Sequence, residues 1–172
     1  LKVEVELKAA GIRVKCDARE TVRPGFKFNE WELKGVPLRI EIGPRDIEKG
    51  HVVVARRIDK EKAFVPRAEL VPAISKALDV FHADLLARAK QRVSDLTSEA
   101  ATLDELSAIL SEKRGFVWAG WDGSSETEEK VKEATKATIR NIPLEGSEPT
   151  AGLKDLVSGQ PAKYRVLFAR AY

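Results

Sequence analysis

The chain has 172 residues, of which 43% are hydrophobic and 33% charged, so it can form one domain or two small ones around a buried core. Its net charge of +3 permits nucleic-acid binding but does not by itself argue for it. No apolar run approaches the ~20 residues of a membrane span, no signal-peptide pattern opens the chain, and the single cysteine, Cys16, excludes an internal disulfide and suits a reducing cytoplasm.

A helix end and an alternating segment come first. Residues 1–10 are predicted to end a helix at Gly11, although their alternation would also suit a strand. Residues 12–17 alternate apolar and charged side chains, which predicts a half-buried strand with Cys16 as a small core residue. Because the chain begins inside a periodic segment with Leu1 rather than Met, we expect it to be a portion of a longer protein.

The next predicted elements are short and close together. Residues 24–35 form a helix that a proline opens and a glycine closes. Residues 38–42 alternate as a strand with one apolar face, and residues 44–49 make a turn or short helix. Residues 51–57 include three consecutive valines, which predicts an interior strand buried on both faces.

A long helix with a core-facing apolar stripe is predicted over residues 69–95. Thr102 and Glu105 match a capping box, so a further helix should begin there and end at Gly115. The remaining predicted elements are a strand at 116–119, a helix at 126–136, a strand at 138–143, a loop at 144–159 and a strand at 164–169. The expected core of this second part is Phe116, Trp118, Trp121, Ile139, Ile142, Val166 and Phe168. Alternating strands and helices predict an α/β fold.

Two stretches carry a resemblance to a known family. Residues 23–46 are RPGFKFNEWELKGVPLRIEIGPRD, and residues 51–57 are HVVVARR. Both closely resemble the anticodon-binding domain of prolyl-tRNA synthetase, of the type shared by archaea, eukaryotes and some bacteria. The resemblance continues to Tyr172. It implies a class II synthetase anticodon-binding domain, a mixed sheet flanked by helices, over residues 1–99. A small α/β C-terminal domain would follow over residues 100–172.

Proline anticodons end in two guanines, and a protein that binds them needs carboxylates and arginines side by side. A carboxylate matches the two adjacent N–H donors of guanine, and an arginine matches O6 and N7. By resemblance, the residues that contact the guanines are Glu32, Arg39, Arg45 and Asp46. The neighbours that would support the site or touch RNA are Lys27, Glu30, Lys34, Glu41, Arg56 and Arg57, with Lys27 and the two arginines as candidates for phosphate contacts.

The same side chains also admit a purely structural interpretation. Arg39 and Glu41 could form an ion pair on the solvated face of their strand, and Asp46 could cap a short helix. The preceding helix carries three aromatic residues, Phe26, Phe28 and Trp31. Such residues more often lie in a core than stack on bases, so we expect at least two of the three to be core residues.

Many members of the resembled family carry a four-cysteine zinc site in the C-terminal domain. The apparent ligand positions hold Asp122, Thr127, Asn141, Asp155 and Ser158 in this chain. Structural zinc sites use thiolates or imidazoles in fours, so these residues predict a domain without zinc that is stabilised by packing alone.

No catalytic motif is recognisable, neither G-x-G-x-x-G nor a phosphate-binding GK[ST] loop. We therefore expect this portion to be inactive alone and to hold no cofactor. The resemblance implies a parent enzyme that uses ATP and Mg in a catalytic domain to join proline to tRNA(Pro). It also implies a cytoplasmic homodimer in which Tyr172 contacts the catalytic domain, although Tyr172 could merely end a strand. The first strand of the anticodon domain would precede Leu1.

Two other functions stay open. The chain could be a stand-alone anticodon-domain module that binds RNA or a protein. It could also belong to another class II synthetase with this domain, such as the threonyl or histidyl enzyme. The KFNEWELKGVP run and the terminal Tyr172 favour the prolyl enzyme.

Overall fold

A computed structural model of the chain describes residues 2–144 and 150–171. The chain divides into two compact units, Leu1–Ala87 and Arg88–Tyr172, and the division falls within a 26-residue helix. No helix in the described part of the chain is both long enough and apolar enough to cross a membrane.

The first unit contains a three-stranded antiparallel sheet with strand order β1-β2-β3. Its strands are β1 (Leu38–Glu41), β2 (His51–Arg56) and β3 (Lys62–Pro66). Its helices are α1 (Lys2–Ala9), α2 (Pro24–Leu33), α3 (Pro44–Glu48) and the first part of α4 (Leu70–Asp95). The predicted helices and the strands predicted at 38–42 and 51–57 are confirmed. The Val-rich strand is the central one as expected, but Val53 is half-buried, so the strand is not buried on both faces.

Two predictions for this unit are wrong. Residues 12–17 form no strand, because no described segment pairs with their main chain, although Ile12 and Val14 still pack on the core. Cys16 is exposed. The strand β3, which forms a hairpin with β2, was not predicted, since its five residues alternate only weakly. The turn before it contains Lys60, which has a φ of +64°.

The core of the first unit lies on one face of the sheet. Val52 and Val54 of β2 are buried there together with Leu7 of α1 and with Leu70 and Ile74 of α4. Because side chains alternate along a strand, the residues between these valines point to the opposite face, which we call the outer face.

The outer face is defined by the strand register. Arg39 of β1 pairs with Ala55 of β2, and Glu41 pairs with Val53, which in turn pairs with Phe64 of β3. Directly paired residues share a face of a sheet. Arg39, Glu41 and Phe64 therefore project from the side opposite to the core.

The second unit contains a mixed four-stranded sheet with strand order β4-β5-β7-β6, in which only β4 and β5 are parallel. Its strands are β4 (Thr97–Glu99), β5 (Phe116–Trp121), β6 (Ala137–Asn141) and β7 (Tyr164–Arg170). Its own helices are α5 (Leu103–Glu112) and α6 (Ser125–Thr135). The α/β class is thus confirmed, while the short strand β4 was not predicted.

The start of α5 shows the predicted capping pattern in a modified form. Thr102 Oγ1 accepts a hydrogen bond from the Glu105 backbone N–H at 3.2 Å, whereas the Glu105 carboxylate accepts from Ala101 N–H rather than from Thr102.

Val166 and Phe168 of β7 are fully buried, as predicted. Ile142 is 45% exposed instead of buried, because it lies just beyond the end of β6.

Candidate RNA-binding site

Arg39 is the centre of a cluster of charged residues on the outer face. Its Nη1 donates to Glu32 Oε1 at 2.9 Å, and its Nε donates to Glu41 Oε1 at 3.0 Å. Its guanidinium carbon lies 3.9 Å from the centroid of the Phe28 ring, a cation–π contact that orients the guanidinium. Helix α2 thus supplies Glu32 and Phe28, and strand β1 supplies Arg39 and Glu41. The three charged side chains are 22–24% exposed, so they remain accessible.

Two lysines complete the cluster. Lys60 forms an ion pair with Glu32, and Lys62 Nζ lies 3.0 Å from Glu41 Oε2. The hydrogen bond from Lys60, supported by the one from Arg39, lowers the pKa of Glu32. Burial by itself would raise the pKa of Glu41, but hydrogen bonds from Lys62 and Arg39 outweigh it, and the net effect lowers this pKa too. Both carboxyl groups are therefore anionic at neutral pH.

The cluster keeps unused hydrogen-bonding capacity. A guanidinium has more N–H donors than the bonds from Arg39 to Glu32 and Glu41 require. Each carboxylate oxygen likewise has more lone pairs than its partners occupy. The arrangement can therefore offer donors and acceptors at once to a planar ligand.

Asp46 and Arg45 lie at the start of α3. Asp46 Oδ2 accepts a hydrogen bond from Gly43 N–H at 2.8 Å, and its Oδ1 lies 3.0 Å from His51 Nε2. Asp46 thus caps the helix, as the structural interpretation of the sequence predicts. The Arg45 side chain is exposed and has no hydrogen-bond or ion-pair partner among the described residues.

Three further candidates contact a separate group of residues. Glu30 pairs with Arg19 at 2.7 Å and with Lys34 at 2.6 Å, and Lys27 donates to the main-chain oxygen of Asp17 at 3.1 Å. The hydrogen bond from Arg19 strongly lowers the pKa of Asp17. These contacts join α2 to the irregular segment before it, so Lys27, Glu30 and Lys34 are not brought into the Arg39 cluster.

Arg56, the last residue of β2, and Arg57, which follows it, also contact other residues within the protein. Arg56 is paired in register with Leu38 on the core face, where it forms ion pairs with Asp59 at 3.1 Å and with Asp84. The Arg57 guanidinium carbon lies 5.4 Å from the centroid of the Phe81 ring. Arg56 thus lies on the opposite side of the sheet from Arg39.

The aromatic residues differ from expectation in their exposure. Phe26 is 59% exposed, whereas Phe28 and Trp31 are half-buried, and Trp31 Nε1 donates to Asp17 Oδ2 at 2.9 Å. None of the three is fully buried. The sequence interpretation missed Phe64, which is 71% exposed on the outer face. The only signal for it was a weak alternation at residues 62–66.

Four of the five apparent metal-ligand positions of the second unit, Asp122, Thr127, Asp155 and Ser158, form a hydrogen-bond network. Asp155, only 2% exposed, accepts through Oδ1 from the N–H groups of Val157 at 2.9 Å and Ser158 at 2.7 Å. Its Oδ2 accepts from Asp122 N–H at 3.1 Å. Asp122 Oδ1 in turn accepts from Thr127 Oγ1 at 2.7 Å.

This network does not fit zinc. Its two carboxylates are already occupied by N–H and O–H donors, and it contains no thiolate or imidazole. Asn141 is exposed at the end of β6. Within residues 2–144 and 150–171, no group of three or more His, Cys, Asp or Glu side chains is placed to hold a metal ion. The predicted contact residue Tyr172 lies outside the described residues.

Comparison with known proteins places both halves of the chain in families. The family model described as "Anticodon binding domain" matches residues 1–77, and the one described as "Prolyl-tRNA synthetase, C-terminal" matches residues 103–172.

Similar curated proteins carry the name proline–tRNA ligase. The one from Rubrobacter xylanophilus is 48% identical over 167 residues, which are 97% of this chain and 34% of the relative. The one from Christiangramia forsetii is 44% identical over 167 residues, with the same two shares. The one from Natranaerobius thermophilus is 47% identical over 171 residues, or 99% of this chain and 35% of the relative.

The chain thus spans about a third of the length of these relatives. The family models match one after the other along the sequence, in the order of the two structural units. The chain belongs to the prolyl-tRNA synthetase family, through an anticodon-binding domain followed by the C-terminal domain of that family.

Proposed function

We propose that this chain is the tRNA-binding portion of a proline–tRNA ligase and that it recognises the two guanines of the proline anticodon. The observation that carries the proposal is the placement of Arg39 between Glu32 and Glu41 on an accessible face of an anticodon-binding domain. Guanine fits such a cluster, because its two adjacent N–H donors match a carboxylate and its O6 and N7 acceptors match an arginine.

Recognition would use the spare capacity of this cluster. The remaining N–H groups of Arg39 would donate to guanine O6 and N7, and a Glu32 oxygen would accept from N1–H and N2–H. The partners Lys60 and Lys62 are 63% and 51% exposed. Breaking either surface ion pair to bind a base therefore costs little free energy. Arg45 and Asp46, at the start of α3, would contact the second guanine.

The wider assignment follows from the relatives' shared name. The whole protein would ligate proline to tRNA(Pro) with ATP and Mg bound in a catalytic domain, and it would act as a cytoplasmic homodimer. This portion would contribute tRNA binding through residues 1–99 and a C-terminal domain over residues 100–172. It would hold no cofactor of its own, and Tyr172 would contact the catalytic domain.

The test is binding of the 172-residue chain to proline tRNA and to the same tRNA with both anticodon guanines replaced, at one fixed salt concentration. Each lost base contact should cost about 1–3 kcal/mol, or roughly fivefold to 150-fold in affinity. Equal affinity for the two tRNAs would overturn the proposal. The slope of log affinity against log salt should be the same for both, because phosphate contacts do not depend on the bases.

A further inference from the structure

An exposed aromatic ring lies beside the Arg39 cluster on the outer face. Phe64 of β3 is in register with Val53 of β2, which is in register with Glu41 of β1. Lys62, two residues before Phe64, reaches across β2 to Glu41 at 3.0 Å. Neighbouring strands are about 4.8 Å apart, so Phe64 and Glu41 start about 10 Å from each other.

The Phe64 ring is held in a defined orientation although it is 71% exposed. The His51 ring packs against it edge to face, with centroids 5.0 Å apart and an angle of 85° between the planes. His51 is itself held by Asp46, through the 3.0 Å contact at the start of α3. An oriented aromatic side chain that is mainly exposed contributes little to a core.

We propose that Phe64 is a base-stacking residue of this site, which takes the base of a nucleotide adjacent to the guanines bound by the Arg39 cluster. His51 acts as a positioning residue for the ring. The proposal rests on the proposed anticodon-binding function, and it adds a contact that is indifferent to base identity, because every base has a π-face.

A single-stranded RNA loop is the occupant that the surroundings favour. Bases of such loops are unstacked and are commonly bound on aromatic side chains, with polar groups at their edges. Here the ring lies between two charged groups of the outer face, Lys62 on its own strand and the His51–Asp46 pair. An apolar protein partner would instead have to bury these charges around the ring.

The test measures binding of the anticodon stem-loop RNA of proline tRNA to variants of the 172-residue chain. Phe64→Leu keeps an apolar side chain but removes the π-face, whereas Phe64→Trp retains it. Phe26→Leu is the matched control, since Phe26 is 59% exposed and lies on α2. Phe64→Leu should weaken binding by about fivefold to 100-fold, while the other two variants should bind like the parent chain.

Thermal melting tests whether the variants fold. We expect them to fold, because Phe64 is exposed and its replacement removes little buried surface. A set of stem-loops, each with one abasic loop position, then locates the stacked base. With the RNA that lacks the stacked base, Phe64→Leu should no longer weaken binding, because the stacking interaction that the substitution removes is already absent. An equal Phe64→Leu effect on every abasic RNA would overturn the proposal.

The two proposals fail in different ways. If the parent chain does not distinguish the guanine-substituted stem-loop, the anticodon-binding function fails. If the parent chain distinguishes it but Phe64→Leu binds as tightly as the parent, only the stacking role is refuted.

Discussion

Arg39 Nη1 lies 2.9 Å from Glu32 Oε1, although the two residues belong to a strand and a helix. The turn between them accounts for this proximity. Gly35, with φ of +84°, donates its N–H to the Glu32 carbonyl at 3.0 Å, and Val36 donates to the Trp31 carbonyl at 3.0 Å. These bonds form a Schellman motif, which ends α2 and directs the chain into β1.

The first prediction concerns the shape of the Arg39 side chain. Arg39→Lys keeps the charge but loses the planar fork, so it should lower the discrimination between guanine and substituted anticodons by about 1–3 kcal/mol. The measurement is the ratio of tRNA affinities at fixed salt. Arg13→Lys, at an exposed position in the segment before α2, is the control and should leave the ratio unchanged. An unchanged ratio for Arg39→Lys would contradict guanine recognition by this residue.

The second prediction concerns Glu32. Glu32→Gln removes a negative charge from an RNA-binding surface, so electrostatics alone would strengthen binding to every tRNA. If the carboxylate accepts from guanine, affinity for proline tRNA should instead fall several-fold, while affinity for the guanine-substituted tRNA stays equal or rises. Glu30→Gln, whose partners are Arg19 and Lys34, should not produce this opposite response. Parallel gains on both tRNAs would argue against the role.

The third prediction concerns pH. The pKa values of Glu32 and Glu41 are lowered in the folded chain from the ordinary 4.5, so the folded state binds fewer protons than the unfolded state there. Their contribution to stability is present above pH 4.5 and is lost as the pH falls through the folded pKa values. Urea unfolding from about pH 7 to about pH 3 should show this loss, and it should be smaller in Glu32→Gln/Glu41→Gln. Identical pH profiles would refute the prediction.

The fourth prediction concerns the Asp155 network. Asp155→Ala removes the acceptor for the N–H groups of Asp122, Val157 and Ser158, and an unsatisfied buried donor costs about 1–3 kcal/mol. Denaturant unfolding should report a loss of at least this size. Glu129→Ala removes the same charge from an exposed position of α6 and should change stability little. A stable Asp155→Ala variant would show that the network does not hold the second unit together.

The fifth prediction concerns close backbone packing at Gly120. A Cβ at this position would lie 2.1 Å from the Lys154 carbonyl oxygen and 2.9 Å from Ala162 Cβ. Gly120→Ala should therefore lower the free energy of unfolding by about 1–3 kcal/mol or more. Gly25→Ala is the control, since no heavy atom lies within 4 Å of its Cβ position, and it should be neutral or stabilising. Equal melting temperatures of the two variants would contradict this packing.

Local patterns predicted most of the fold. The helix α4, the Thr102 cap of α5 and the glycine after α2 depend on neighbours within a few residues, so the sequence predicts them. The apolar stripe of α4 is buried at Ile74 and Phe81, but Leu85 and Val93 of the same stripe are 40% and 54% exposed, so the expected core-facing stripe is wrong for the second half of the helix. The segment at 12–17 shows the limit. Its alternation meets the requirement for a half-buried strand, but a strand also needs a partner main chain, and no described segment supplies one.

The candidate site divides in the same way. The alternation along β1 already placed Arg39 and Glu41 on one face, because side chains in a strand alternate whatever the rest of the fold. The pairing of β3 with β2 was decided only in the folded chain, and it brings Lys62 to Glu41 and Phe64 onto the outer face. Tertiary contacts likewise directed Arg56 to Asp84 and Asp46 to His51, since contacts between polar side chains depend on distances in space that periodicity does not encode.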